Sequence, residues 1–190
     1  MERVKPLKID TSTTKIWFTS DTHFGHQNIL KFCERPFVST EEMDNAIIER
    51  WNSKVGKDDI VFHLGDFAFA DKPKWRQLLN ALHGEKYLIL GNHDREEDIP
   101  EECFTAICDI AQISIYDEEL EGFATFIATH YPLATWAGIN KGYFNIHGHI
   151  HSTPNLSGTG FDIQIAKNAP WNQYDVGIDR NDYTPISYEQ

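Results

Sequence analysis

The sequence predicts an α/β protein in which a parallel sheet is laid down first and a strand-rich half follows. Two observations carry that reading. Apolar runs of strand length at residues 15–20, 60–64 and 87–90 each break off into a polar turn, and segments with helical spacing separate them. Beyond residue 105 the helical spacing disappears, and runs at 106–110, 112–116, 123–128 and 143–146 follow one another across short connections.

Taken in order, Lys15-Ile16-Trp17-Phe18-Thr19-Ser20 is the first strand, and it ends in Asp21-Thr22-His23-Phe24-Gly25-His26. A short helix over 28–34 stops before Pro36. Ser39 and Glu42 have the spacing of a capping box for a helix over 40–54, with Met43, Ala46, Ile47 and Trp51 as its apolar stripe. Gly56 closes it. Ile60-Val61-Phe62-His63-Leu64 is the second strand and runs into Gly65-Asp66. Asp71 caps a third helix to residue 82, with Pro73 in its first turn and Gly84 as its stop. The strand Tyr87-Leu88-Ile89-Leu90 then meets Gly91-Asn92-His93-Asp94. A buried strand cannot carry three such polar groups through a core, so it must end there, at the rim of a sheet. In the second half two strands end in histidine clusters, Thr129-His130-Tyr131-Pro132 and His147-Gly148-His149-Ile150-His151. A polar loop containing glycine and proline spans 152–173, and a last strand follows at 175–178.

At 190 residues and 41% apolar content, with no repeat or linker, the chain reads as one domain over residues 1–190. Seventeen basic against 29 acidic residues leave a formal charge of -12. Nonspecific binding to duplex nucleic acid or to an anionic membrane needs a basic surface, so both are disfavoured. Cys33, Cys103 and Cys108 are odd in number and lack Cys-x-x-Cys spacing, which suits reduced thiols and a cytoplasmic location. Residues 1–15 are polar and charged, unlike a signal peptide, and no run approaches membrane-spanning length.

The chemistry lies at five predicted strand ends. Asp21 and His23 are two residues apart, as are His149 and His151, so on extended backbone each pair faces one way. Gly148 permits close backbone approach, and Asp66 and Asn92 each follow a glycine. These are nitrogen and oxygen donors without a thiolate. Two carboxylates, several imidazoles and one amide exceed what a single catalytic ion needs. They point to two ions about 3.5–4 Å apart, sharing a bridging carboxylate.

Asp21-x-His23, Gly65-Asp66, Gly91-Asn92-His93-Asp94, His130 and Gly148-His149-x-His151, in that order, resemble the calcineurin-like metallophosphoesterase superfamily. Within it the chain is similar to the small, cap-less bacterial or phage phosphoesterases. The resemblance spans residues 15–178 and implies a four-layer αββα sandwich, two mixed β-sheets flanked by helices, with the site at the strand ends. It implies that Asp21, His23 and His151 hold one metal and Asn92, His130 and His149 the other, with Asp66 as the bridge. The cofactors would be two divalent transition-metal ions, manganese first, with iron, zinc, nickel and cobalt as the other fits. They would acidify a shared water that attacks phosphorus in line. His93 would stand over the substrate as general acid, because an imidazole titrates near working pH. Asp94 fits either an orienting partner for His93 or a turn cap. The phosphoprotein phosphatases extend the second motif as Asp-Arg-Gly; here Gly65-Asp66 runs into Phe67-Ala68-Phe69, which counts against that activity.

Other residues carry weaker expectations. His26 fits a substrate contact or a support for His23, and Arg35 and Arg95 fit phosphate clamps or ordinary surface arginines. His147 faces away from His149 and is expected buried; His63 is expected to be structural. Phe24, Tyr131, Trp136 and Trp171 fit a base-stacking wall or core packing. The expected partner is a small phosphoester or a nucleotide, with the 152–173 loop as a lip of the cleft. A nuclease within the same enzyme class, or a noncatalytic scaffold on the same fold, are the alternatives. The filled ligand positions argue against a scaffold.

Overall fold

The computed structural model describes residues 7–10, 14–117, 121–153 and 168–189. Its strands are β1 (Leu7–Asp10), β2 (Ile16–Thr19), β3 (Ile60–His63), β4 (Glu85–Ile89), β5 (Ala106–Cys108), β6 (Ile110–Asp117), β7 (Gly122–Thr129), β8 (Phe144–His147), β9 (Gln173–Asp175) and β10 (Ile186–Ser187). Its α-helices are α1 (Ile29–Phe32), α2 (Thr40–Lys54) and α3 (Lys72–Ala81). Two five-stranded sheets form, in the orders β10-β2-β3-β4-β5 and β1-β6-β7-β8-β9. Each is mixed: β10 runs antiparallel to β2 in the first, and β6 antiparallel to β7 in the second.

The continuous apolar runs of the first sheet reflect burial on both faces. Successive residues alternate between two cores. Ile16, Phe18, Phe62 and Ile89 face the second sheet, where they meet Ile113, Ile115, Phe126, Ala128 and Ile146. Trp17, Val61 and Leu88 face the helices and pack with Met43, Ile47 and Trp51 of α2 and Trp75, Leu78 and Leu79 of α3. Ser39 accepts the Glu42 N–H at 3.1 Å, while the Glu42 carboxylate reaches back to the Val38 N–H (2.7 Å) and not to that of Ser39, and Asp71 accepts the Lys74 N–H at 3.1 Å. Each cap of this kind contributes about 1 kcal/mol. The two mixed sheets packed face to face with helices against the first are those of the metallophosphoesterase fold that the sequence predicts. The segment between β7 and β8 carries a 3₁₀ turn (Ile139–Lys141). It is tied down by Asn145, which accepts the Leu133 N–H at 3.1 Å, and by Gln173, which donates to the Leu133 carbonyl at 2.8 Å.

Some boundaries differ from expectation. The run 106–110 splits between β5, which pairs with β4, and β6, which enters the other sheet. β1 and β10 are four and two residues long, too short for any periodicity to announce them. The last predicted strand is displaced: β9 ends at Asp175, and the chain then crosses between the sheets. Val176 donates to the His147 carbonyl at 2.8 Å, while Ile178 donates to that of Ser20 at 3.2 Å. That crossing ties the C-terminal end of β8 to that of β2 at one rim. No described helix is long and apolar enough to cross a membrane.

Candidate metal centre

At this rim the backbone abandons extended geometry. Among the described non-glycine residues, nine have positive φ, and five of them are Asp21 (58°), His23 (49°), Asp66 (58°), His149 (72°) and His151 (44°). Such a conformation costs about 1–3 kcal/mol and persists only where the surroundings impose it. The sequence reading that each Asp-x-His or His-x-His pair lies on extended backbone is therefore corrected. Left-handed turns, not strand alternation, aim these side chains together.

Ligand-competent atoms of Asp21, His23 and His151 all lie within 4.8 Å of one another. The Asp21 carboxylate is buried, and it accepts the His149 backbone N–H at 3.1 and 3.0 Å. His151 points Nδ1 at Asp179 Oδ2 (2.7 Å) and Nε2 toward Asp21 Oδ1 (3.8 Å). A proton on Nδ1 donated to Asp179 leaves the Nε2 lone pair for the cluster, the usual way a carboxylate fixes a ligating imidazole. Burial opposes charge on His151, but Asp21 and Asp179 outweigh it and raise its pKa well above the ordinary histidine value. Positive charge is favoured at this spot. His23 is the reverse: burial, with His151 and Arg35 nearby, holds it far below the ordinary value and keeps it a neutral donor.

A second group forms from Asp21, Asp66 and His130. His130 Nδ1 bonds the Leu64 carbonyl at 2.7 Å, and Nε2 lies 3.0 Å from Asn92 Oδ1. The His149 ring is 5.1 Å from that of His130. Between the groups stands Asp66 Oδ2, 3.5 Å from His23 Nε2 and 3.6 Å from His130 Nε2. Burial, and further the charge on Asp21, raise the Asp66 pKa despite the opposing influence of His130. Two carboxylates buried this close together call for a cation.

His93 is exposed beside this bridge, its backbone N–H donating to Asp66 Oδ1 at 2.9 Å. Asp94 does not orient it. The Asp94 carboxylate instead accepts the backbone N–H groups of Asp66 (2.8 Å), Phe67 (2.9 Å) and Gly91 (2.9 Å), stapling two ligand turns together. Arg35 is likewise corrected. Its guanidinium is buried, forks onto Asp179 (2.8 and 2.9 Å) and reaches the carbonyls of Asp21 (2.7 Å) and Thr22 (3.0 Å), so it braces the first turn and has no donor turned to substrate. Arg95 lines a cleft of about 330 Å³ with His93 and Asn92. His26 approaches His23 (Nδ1 to Nδ1 3.2 Å) and stacks on Phe69, ring centroids 3.7 Å apart. His63 is buried against Thr22 and Trp51, and His147 is buried with Nδ1 on the Gly148 carbonyl. Of the aromatic residues, Phe24 and Trp136 are core; Tyr131 and Trp171 are exposed. Most of the 152–173 loop falls outside the described residues.

Comparison with known proteins places the chain in a family. Residues 14–182 match the model of the calcineurin-like phosphoesterase family. The chain belongs to the calcineurin-like phosphoesterases. An uncharacterized protein of Methanocaldococcus jannaschii is 34% identical over 180 residues, covering 94% of this chain and 89% of that protein. The gene 66 protein of Mycobacterium phage L5 is 29% identical over 165 residues, covering 74% of this chain and 79% of its own. A crystal structure of a protein of unknown function from Aquifex aeolicus aligns with TM-score 0.67 and 25% identity over 93% of this chain and 97% of that one.

Calcineurin-like phosphoesterases are in general metal-dependent, and this chain's residues fit divalent ions on three grounds. His23 Nε2 is buried and has no hydrogen-bond partner among the described residues. The donors of the Asp21-His23-His151 and Asp21-Asp66-His130 groups are nitrogen and oxygen, with Cys33 joining only His151 and Asp179 in a third group. Gly148 leaves room that a Cβ would close, coming within 2.2 Å of Ser20 Oγ and 2.4 Å of Asp21 Oδ2. Gly148→Ala should therefore displace Asp21. A stability loss of about 1–3 kcal/mol by thermal unfolding is expected, together with weaker metal binding.

Sequence reasoning missed Asp179 and Phe69. Asp179 had a legible signal, since it ends the last apolar run as the ligands end theirs. Phe69 had none, because its place depends on backbone bonding to Phe24 across the motifs (2.9 Å). Asp179→Asn keeps the shape but loses the charge that sets the His151 tautomer. Metal affinity, read by calorimetry, should fall about 10–100-fold.

Proposed function

We propose that this phosphoesterase is dinuclear, holding one ion with Asp21, His23 and His151 and another with Asn92, His130 and His149, with Asp66 shared. The observation that carries this is the single oxygen, Asp66 Oδ2, flanked by His23 Nε2 and His130 Nε2 at 3.5 and 3.6 Å. When bound, the two ions supply Lewis acidity toward water and neutralise phosphoryl charge. Manganese is the first expectation, since hard and borderline donors make up the set.

The protein's own residues do the rest. Asp94 and Arg35 hold the ligand turns rigid, so the donors need no rearrangement. His93, tethered at its backbone to Asp66, donates a proton to the leaving oxygen. Arg95, in the same cleft as His93, offers guanidinium N–H groups to the bound substrate. Asp66 runs into Phe67-Ala68-Phe69 without the Asp-Arg-Gly extension of the phosphoprotein phosphatases, and Phe67 is buried against Phe24 and Trp75, which favours small phosphoesters and nucleotides over phosphoproteins. The charge of -12 sets long duplex DNA aside in the same way.

The test is release of nitrophenol from mono- and bis-p-nitrophenyl phosphate with manganese, iron, zinc, nickel and cobalt in turn. Metal-stimulated release that a chelator reverses is expected. No release with any of these ions would contradict the proposal.

A further inference from the structure

The cleft beside His93 has a composition of its own. Ala68, Phe69, Ala70 and Asp71 form one wall; Asn92, His93, Arg95 and Asp98 form the other, enclosing about 330 Å³. That is near the lower end of the ~300–1,000 Å³ typical of small-molecule pockets, room for one compact group rather than a polymer. Phe69 is 39% exposed and held in place. Its N–H donates to the Phe24 carbonyl at 2.9 Å, and its ring stacks on His26 at 3.7 Å and 14°. Its centroid also lies 4.9 Å from that of His93. Phe32, 74% exposed, extends the strip with its centroid 6.4 Å from that of His26.

Charge narrows the occupant. One guanidinium, Arg95, faces two carboxylates, Asp71 and Asp98. An anionic group would meet net repulsion, whereas a neutral group with hydroxyl or amino donors would find acceptors. A flat ring would find the Phe69 face, whose stacking is worth about 1–3 kcal/mol per base. His93 lies in this cleft, so a proton it releases goes to whatever is bound here.

Resting on the phosphoesterase reading above, we propose that this cleft is the leaving-group subsite and takes a neutral nucleoside, stacked on Phe69. The substrate class is then nucleoside phosphoesters whose scissile bond joins phosphorus to the nucleoside oxygen. Hydrolysis breaks that P–O bond, water supplies the new oxygen on phosphorus, and the nucleoside alkoxide leaves as the alcohol with a proton.

The experiment compares adenosine 5′-monophosphate with ribose 5-phosphate, which lose the same kind of primary alkoxide and differ by the base. Wild-type kcat/KM should favour the nucleotide by about tenfold, mostly through KM. In Phe69→Leu that ratio should fall close to one, and in Phe69→Tyr it should recover. Calorimetry on metal-free protein should give the same ranking for binding. Equal kcat/KM for the two esters in wild type, or an equal loss on both in Phe69→Leu, would overturn the subsite while metal-stimulated nitrophenol release still upheld the phosphoesterase. Absence of release from every ester with every metal would sink the phosphoesterase reading itself, and the subsite with it.

Discussion

Asp66→Ala is expected to lower turnover by at least about 10³-fold on every phosphoester, because in the proposed dinuclear centre it removes the oxygen that both ions share. The loss should be uniform across leaving groups. Asp66 Oδ2 sits between His23 and His130, and Oδ1 also accepts the His93 N–H at 2.9 Å. The substitution therefore empties the bridge and loosens the turn that carries His93. Calorimetric titration should show both ions lost together. Retention of two tightly bound ions would remove Asp66 from the shared position. A fold check belongs beside it, since Asp94 still holds the turn through the N–H groups of residues 66, 67 and 91. Far-ultraviolet dichroism should be close to wild type.

His93→Ala should behave differently. Its side chain is exposed and is not among the clustered ligand atoms, so ion content should stay near that of wild type. Turnover on alkyl esters should fall about 10²–10⁴-fold, because an alkoxide leaves poorly without a proton. On p-nitrophenyl phosphate the loss should be markedly smaller, since nitrophenolate leaves unaided. The readout is the ratio of the two activities, with metal content measured on the same samples. Equal losses on both esters would instead put the imidazole on the phosphoryl oxygens, stabilising charge in the transition state.

Much of this was readable because the fold buries its sheets on both sides. Ile16-Trp17-Phe18 must stay apolar to serve two cores, so the sudden Asp21-Thr22-His23 can only mean an exit at the rim. The same contrast marks Asp66, Asn92, His130 and His149. Helix caps were legible for a similarly local reason, as Ser39 and Asp71 act within one turn. What stayed hidden was set by long-range contact. Arg35 looked like a surface cation until Asp179, 144 residues away, filled its fork. Asp94 sits beside His93 in sequence, yet its oxygens turn back to Gly91 and across to residues 66 and 67. Left-handed backbone at Asp21 and His23 has no signature in those residue types, and a period-two argument assumed extended chain where there is a turn.

The central claim is that one carboxylate is shared by two ions, and anomalous scattering from crystals grown with manganese addresses it most directly. The account predicts two peaks per chain about 3.5–4 Å apart, one toward Asp21, His23 and His151 and the other toward Asn92, His130 and His149, with Asp66 Oδ2 between them. A single peak, or two peaks that both leave Asp66 unliganded, would contradict it.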